Sequence, residues 1–246
     1  MRLDKLLAHA GFGSRKDVKT LIKNNHVCVD DKVIKDGSIH VDPMSQHIQV
    51  DDQTVDYKKY IYLLMNKTKG IISATTDAKN KTVIDVLPEK WRKLDLFPVG
   101  RLDKNTEGLI LITNDGEIAH YLTSPKYDVK KTYYAKIKGK VTEEDIHIFN
   151  QGVVLDDGYK TKSANMKIMK SDTISEIELT ITEGKFHQVK RMFISVGKKV
   201  IYLKRIQMGA FTLEDTLKPG EIREVNSNEQ AYINRIKKKS YERGRK

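Results

Sequence analysis

Apolar residues recur at helical spacing at the start of the chain. Leu3, Leu6, Leu7 and Ala10 lie three or four positions apart, and the segment 11–13 then interrupts the pattern with two glycines. Side chains at this spacing share one face of a helix, and glycine commonly ends one. The pattern therefore predicts a short amphipathic helix that stops at the glycines.

A second short helix is predicted from Ser14 onward. Asp17 stands three residues after Ser14, which is the spacing of a reciprocal capping pair, and Val18, Leu21 and Ile22 supply an apolar side. Two short strands follow, at 27–29 and 32–34. We expect residues 1–57 to form one small domain of two helices and short strands, ending in a polar linker.

A different pattern predicts the larger domain, residues 58–232. Apolar runs or alternation indicate strands at 60–65, 108–113 and 177–181. Helical patches are fewer, at 117–122, 142–151 and 186–196. Strands with interspersed helices but no regular βαβ repeat favour an α+β fold with a mostly antiparallel sheet and flanking helices. Residues 233–246 are rich in lysine and arginine, and we expect a disordered basic arm there.

Composition fits a folded protein that stays in the cytoplasm. The chain has 246 residues, of which 39% are hydrophobic and 32% charged. No apolar run approaches the roughly 18 residues that cross a bilayer, and the start lacks the apolar stretch of a signal peptide. Cys28 is the only cysteine, which excludes an internal disulfide and a cysteine-based zinc site. We expect a monomer with no membrane contact.

The net charge of +12 is concentrated in clusters. Residues 1–35 hold eight basic and four acidic side chains, residues 184–205 hold seven basic and none acidic, and residues 233–246 hold seven basic and one acidic. Three separate basic clusters favour a polyanionic partner over scattered solvated faces. In the first domain, the basic side of the second helix lies near free helix N–H groups, which also favour phosphate.

The first domain resembles the S4 RNA-binding domain. The resemblance is carried by Arg2-Leu3-Asp4-Lys5-Leu6-Leu7, Ser14-Arg15-Lys16, Leu21-Ile22 and Val27-x-Val29-Asp30. It implies binding to structured RNA and says nothing about chemistry. The residues that we expect to contact RNA are Arg2, Lys5, Ser14, Arg15, Lys16, Lys19 and Lys23.

The common cofactor and metal motifs are absent. The chain has no phosphate-binding Walker loop, no dinucleotide-binding glycine motif, no His-Glu-x-x-His and no Gly-x-Ser-x-Gly. Its seven histidines are scattered, and we interpret each as a surface or packing residue. We expect no cofactor and no metal.

A dense polar loop, residues 98–108, runs directly into an apolar strand. Within it, Asp103 has Arg101 two residues before it and Lys104 after it. Basic neighbours favour the ionised form of a carboxylate, and a rigid strand fixes the position of a catalytic group on the adjoining loop. An ordinary turn or cap residue also fits this position.

This loop resembles the signature loop of the RsuA/RluA group of pseudouridine synthases. The matching run is Gly100-Arg101-Leu102-Asp103-x-x-Thr106-x-Gly108-Leu109-Ile110-Leu111-Ile112-Thr113-Asn114-Asp115-Gly116. Further matches follow in the same order: Met65-Asn66-Lys67-x-x-Gly70, Lys131-Thr132-Tyr133, Glu183-Gly184-Lys185-x-His187-Gln188-Val189-Lys190-Arg191-Met192-Phe193, Val200-x-x-Leu203-x-Arg205-x-x-x-Gly209 and Leu217-x-Pro219-Gly220-x-Ile222-Arg223. Two of these segments look most like the branch that acts on small-subunit ribosomal RNA.

The resemblance implies isomerisation of a uridine in 16S ribosomal RNA to pseudouridine, without a cofactor. Asp103 is then the essential carboxylate, which either attacks C1′ or removes the C2′ proton. A base inside structured RNA must first be flipped out. Alternation along a strand places Tyr133 on the inward face, and its implied role is stacking on the flipped uracil.

Four further side chains complete the expected catalytic site. Helical periodicity turns Lys190 inward and Arg191 outward, so Lys190 is expected to pair with Asp103. Arg191 is a second candidate or a phosphate contact. Leu203 resembles the apolar residue that packs on the base, and Arg101 either fills the space vacated by the base or contacts a phosphate.

The expected partner is small-subunit ribosomal RNA or its pre-ribosomal particle. Two alternatives remain open: a synthase acting on large-subunit ribosomal RNA, and a non-catalytic RNA-binding factor of ribosome assembly.

Overall fold

The computed structural model describes residues 1–243, which fall into two compact units. One contains residues 1–61 together with 87–96, and the other contains residues 62–86 and 97–243. The first unit thus continues past residue 57 and also includes a segment from much later in the chain. Local sequence patterns do not report such long-range packing.

The first unit contains three helices and a small sheet. Its helices are α1 (Leu3–His9), α2 (Arg15–Lys23) and α3 (Glu89–Arg92), and its strands are β1 (Val27–Val29), β2 (Lys32–Val33), β3 (Ile48–Val50) and β4 (Gln53–Thr54). The sheet order is β2-β1-β3-β4, with antiparallel neighbours. The two helices and the two short strands predicted from sequence are confirmed.

Both hairpins of this sheet turn through two consecutive aspartates. Asp30 and Asp31 join β1 to β2 with φ of 50° and 63°, and Asp51 and Asp52 join β3 to β4 with φ of 47° and 61°. A two-residue turn with positive φ at both positions matches the twist of the flanking strands, and aspartate tolerates that conformation. The predicted capping pair is also present, since the Ser14 hydroxyl and the Asp17 carboxylate bond to each other's backbone N–H groups.

The second unit is built on a nine-stranded mixed sheet. The strands are β5 (Tyr62–Lys67), β6 (Phe97–Pro98), β7 (Glu107–Thr113), β8 (Lys131–Lys138), β9 (Asn165–Lys170), β10 (Ile174–Ile181), β11 (Lys199–Met208), β12 (Phe211–Thr212) and β13 (Ile222–Glu224). The main order is β13-β5-β7-β11-β8-β10-β9, with β6 on β7 and β12 on β11. Only the β7–β11 pair is parallel among the described strand pairs, which confirms the predicted α+β fold with a mostly antiparallel sheet.

Four helices accompany this sheet: α4 (Gly116–Thr123), α5 (Glu143–Gln151), α6 (Gln188–Ser195) and α7 (Ser227–Arg243). Helix α6 begins two residues later than predicted. Phe186 falls within the predicted range 186–196 but precedes the observed helix and is 76% exposed. Val189, Met192 and Phe193 form the buried side of α6. No helix within residues 1–243 has the length and apolarity to cross a membrane.

The disordered arm expected at residues 233–246 is not observed over residues 233–243. These residues continue α7, whose Ile233 and Ile236 are 0% and 2% exposed. Residues 244–246 lie outside the described part of the chain. The two isoleucines stand three positions apart, so they share one helix face. In the sequence, the many neighbouring basic residues hide this short apolar pattern.

An ion pair also holds α7 in place. The Lys237 ammonium lies 2.5 Å from an oxygen of Asp115, which is 2% exposed, accepts a bond from the Tyr62 hydroxyl and caps α4. Burial raises the pKa of the Asp115 carboxyl, but the Lys237 and Tyr62 hydrogen bonds outweigh it and hold the pKa below its usual value.

Truncating Ile236 should therefore destabilise the protein. Ile236→Ala removes buried methyl groups and is expected to lower the free energy of unfolding by about 2–4 kcal/mol, measured by denaturant titration. Lys238→Ala, at an exposed position of the same helix, serves as the matched control and should change stability little. Equal stability of the two variants would show that the helix is not packed in solution.

Candidate active site

Five of the six predicted catalytic residues line one open cavity in the second unit. The cavity has a volume of about 440 Å³ including its mouth, and it lies among the loop before β7, strands β8, β10 and β11, and the start of α6. The predicted residues on its wall are Arg101, Asp103, Tyr133, Lys190 and Leu203.

Asp103 is held between two basic groups. The Lys190 ammonium donates a 2.5 Å bond to Oδ2, and the Nε2 atom of His187 lies 3.5 Å from Oδ1. The Thr106 hydroxyl lies 3.4 Å from Oδ2. The Asp103 side chain is 28% exposed, so the carboxylate is fixed in position but still open to a molecule entering the cavity. Such a group can act as a nucleophile or as a base.

A buried lysine fixes the backbone of the Asp103 loop. Lys67, at the end of β5, is 0% exposed, and its ammonium lies 3.1 Å from the Asp103 carbonyl oxygen and 2.7 Å from that of Thr106. It also reaches the carbonyl oxygens of Thr68 and Lys104, at 3.2 and 3.4 Å. Burial lowers the pKa of Lys67 to about 8. The motif that contains Lys67 does not by itself indicate that this lysine binds the backbone of the Asp103 loop.

Tyr133 and Leu203 form the apolar side of the cavity. Tyr133 lies on β8 opposite Leu179 of β10 and Arg205 of β11, and it is 8% exposed. Leu203, two positions before Arg205 on β11, is 6% exposed. The inward orientation predicted for Tyr133 is confirmed. Its hydroxyl forms no hydrogen bond with any other residue that the structure describes, so it is available to a ligand.

Arg205 and Lys131 are buried cations on the same sheet face as Tyr133. Arg205 is 2% exposed and donates from Nε to the Leu109 carbonyl oxygen at 2.8 Å. Lys131 is 6% exposed and donates to the Val129 carbonyl oxygen at 3.0 Å. Burial, reinforced by the charge of Arg205, lowers the pKa of Lys131 to about 8.

Arg191 does not reach the cavity, which corrects its expected place in the catalytic site. Its guanidinium forms ion pairs with Asp156 and with Asp157, the latter at 2.8 Å. Consecutive helical residues point about 100° apart, so a helix that turns Lys190 toward Asp103 turns Arg191 away. Arg101 lines the cavity but is exposed.

His187 is a second residue of the site, after Lys67, whose contact the sequence did not reveal. Seven scattered histidines looked alike, although this one lies in the matched segment just before Lys190. It adopts a left-handed conformation with φ of 50° at the start of α6, which brings its ring to Asp103. A buried pair braces the turn, because the Gln188 amide donates to Glu183 at 2.7 Å and accepts from the Lys185 N–H at 2.8 Å.

The expected RNA contacts lie in the first unit. Arg2, Lys5, Arg15, Lys16 and Lys19 line one groove, whose wall also contains Asp4 paired with Arg2 at 2.7 Å. Ser14 lines an adjoining pocket together with Lys5 and Arg15, with its hydroxyl committed to the helix cap. Lys23 is exposed in the last turn of α2, outside the groove.

No cluster of three or more His, Cys, Asp or Glu side chains among residues 1–243 could hold a metal ion.

Comparison with known proteins places this geometry in a family. The family model described as RNA pseudouridylate synthase matches residues 61–195, and the S4 domain model matches residues 1–47. The uncharacterized RNA pseudouridine synthase YtzG of Bacillus subtilis is 49% identical over 95% of this chain and 98% of its own length.

Two further relatives are named as synthases of different ribosomal subunits. The ribosomal large subunit pseudouridine synthase B of Bacillus subtilis is 39% identical over 93% of each chain. The ribosomal small subunit pseudouridine synthase A of Vibrio cholerae is 38% identical over 95% of this chain and 99% of its own. With the Asp103 cavity and the matched domains together, the chain belongs to the RNA pseudouridine synthase family, as a member that contains an S4 domain.

Proposed function

We propose that this enzyme isomerises a specific uridine of small-subunit ribosomal RNA to pseudouridine, with Asp103 as the essential carboxylate. The observation that carries the proposal is the position of Asp103 between Lys190 and His187 in an open cavity with Tyr133 on its wall. The isomerisation breaks the C1′–N1 bond, forms a C1′–C5 bond and transfers the C5 proton, so that N1 ends protonated. Atoms and charge balance without an oxidant or a co-reactant.

Each wall of the cavity has a proposed task. Asp103 engages the ribose, by attack on C1′ or by removal of the C2′ proton, and the hydrogen bond from Lys190 orients it. Tyr133 and Leu203 hold the flipped uracil between a ring and an apolar side chain. The Tyr133 hydroxyl helps remove the C5 proton. Arg101, at the exposed edge, contacts the RNA strand that the uridine leaves.

The preference for small-subunit RNA rests on two segments. These are Ser124-Pro125-x-x-x-Val129-x-Lys131-Thr132-Tyr133 and His187-Gln188-Val189-Lys190-Arg191, which look most like the small-subunit branch. The relatives named for the two subunits have almost equal identity to this chain, so a large-subunit target is the competing proposal. We further propose a cytoplasmic monomer that acts on ribosomal RNA or on its assembling particle.

Mapping pseudouridine in ribosomal RNA tests the target. RNA from cells that lack this protein should lose one pseudouridine in the small subunit, and expression of the intact chain should restore it. A loss confined to the large subunit would replace the small-subunit proposal with its competitor. No lost site, together with no tritium release from uracil C5 by the purified protein on either ribosomal RNA, would favour a binding factor.

The basic groove of the first unit should account for a measurable part of the salt dependence of binding. Changing Lys16 and Lys19 together to glutamine should weaken RNA binding and reduce the slope of log affinity against log salt by about one and a half to two. The matched control changes Lys32 and Lys35, which are exposed in the same unit outside the groove. A slope unchanged in the groove variant, or equally changed in the control, would contradict this assignment.

A further inference from the structure

An exposed aromatic ring lies at the edge of the catalytic cavity. Phe186 is 76% exposed, yet its ring stacks on the imidazole of His187, with ring centroids 3.8 Å apart and an angle of 19° between the planes. Phenylalanine is among the residues most often buried in proteins. One face of this ring is therefore covered by His187, and much of the rest is open to solvent.

The position of this ring relative to the chemistry is set by its neighbours. Lys185 and His187, on either side of Phe186 in the chain, both line the cavity, and His187 Nε2 lies 3.5 Å from Asp103. Phe186 thus stands at the cavity edge, one residue from a group in contact with the essential carboxylate. A molecule seated against Asp103 would present its adjoining parts to this ring.

The segment that carries the ring is held in place. Gln188 bonds to both Glu183 and the Lys185 N–H, and Glu183 also accepts a 2.6 Å bond from the Tyr159 hydroxyl. The Lys185 ammonium lies 4.3 Å from the centre of the Tyr159 ring. These contacts fix the turn before α6 from both sides, so Phe186 is displayed on a preorganised surface.

A flat exposed ring, backed by a second ring and flanked by lysines, matches the chemistry of an unpaired nucleotide. Bases stack on aromatic side chains irrespective of sequence, and cations beside them attract the phosphates. Lys185 and Lys190 lie on either side of the stacked pair in sequence, and both line the cavity. When a uridine leaves its stack to enter the cavity, the base next to it loses a stacking partner, which Phe186 can replace.

We propose that Phe186, backed by His187, is the stacking platform for the unpaired base that neighbours the flipped uridine. This inference rests on the proposed function, since it takes the occupant of the cavity to be a uridine within RNA. It deepens that function by naming the substrate class: a uridine in a loop or bulge whose neighbour is also unpaired. A uridine whose neighbours stay paired in a helix would be a poor substrate.

The test compares Phe186→Ala with Phe186→Tyr, which keeps the ring. The probe is a short RNA hairpin whose loop consists of uridines and one 2-aminopurine, and binding is measured in the Asp103→Asn background to prevent turnover. With Phe186 or tyrosine present, binding should quench the fluorescence of the 2-aminopurine. Phe186→Ala should abolish the quenching and weaken binding roughly five- to a hundredfold, the range of base–aromatic stacking.

An abasic nucleotide in place of the 2-aminopurine serves as the second arm. The platform has nothing to hold in this RNA, so proteins with and without Phe186 should bind it equally. Kinetics on tritiated small-subunit ribosomal RNA should show a higher KM and an unchanged kcat for Phe186→Ala. Equal binding and quenching by all variants on the fluorescent hairpin would overturn the platform, and would leave a protein partner as the occupant of Phe186.

The two proposals fail in different ways. If the wild-type protein releases tritium from ribosomal RNA but Phe186→Ala matches it in KM and in quenching, only the platform is rejected. If the wild-type protein releases no tritium from either ribosomal RNA, the proposed function is rejected whatever the hairpin shows.

Discussion

Replacing Asp103 with asparagine should lower the release of tritium from uracil C5 by about 10⁴-fold or more, the scale seen when an essential catalytic group is removed. Asparagine has nearly the shape of aspartate but carries no charge, and a neutral amide neither attacks C1′ nor accepts the C2′ proton. Lys190 and His187 remain in place around it. The measurement is single-turnover release from ribosomal RNA labelled at uracil C5.

Binding separates this loss from a folding defect. RNA affinity of Asp103→Asn should stay within a few fold of the wild type, because the basic groove of the first unit is untouched. Asp156→Asn is the matched control. Asp156 is an exposed aspartate that pairs with Arg191, the residue after Lys190 on α6. Normal turnover by Asp103→Asn would remove this carboxylate from the mechanism.

The side-chain orientations that could be predicted are those that follow from the periodicity of a single strand or helix. Alternation along one strand was enough to turn Tyr133 inward, and 100° steps along a helix separated Lys190 from Arg191. Both orientations agree with the structure. The Asp103 loop stood out because polar and basic residues ran directly into an apolar strand.

One missed feature depends on a local backbone conformation, and the other depends on a contact between distant segments. Helix periodicity extended α6 to include Phe186, but a left-handed residue at His187 ends that pattern and exposes the ring. The terminal segment looked like a solvated arm because its lysines outnumber its two buried isoleucines. Its order comes from packing and from Asp115, more than a hundred residues earlier in the chain, which no local window contains.

Lys67→Met should impair the enzyme without touching a group that faces the cavity. Methionine fills a similar space but donates no hydrogen bond, so the four carbonyl groups that Lys67 reaches would lose this donor, among them those of Asp103 and Thr106. A displacement of the loop by about 1 Å is expected to lower turnover about a hundredfold. Unsatisfied buried carbonyls should also lower the free energy of unfolding, by about 1–3 kcal/mol.

The pH dependence of that stability difference gives an independent check. Burial lowers the pKa of Lys67 from 10.5 to about 8 in the folded protein. Below pH 8 the lysine is protonated in both states, so the gap between wild type and Lys67→Met is constant. Between pH 8 and about 10 the unfolded chain holds a proton that the folded protein has released, which makes wild-type stability rise with pH relative to the variant.

The gap in unfolding free energy should therefore widen over that interval, measured by denaturant titration at successive pH values. Other titrating groups are common to both proteins and cancel in the difference. Lys69→Met, at an exposed position two residues away, should show neither the loss of turnover nor the widening gap. A pH-independent gap would mean that Lys67 keeps its proton throughout, with its charge stabilised by the carbonyl groups of the Asp103 loop.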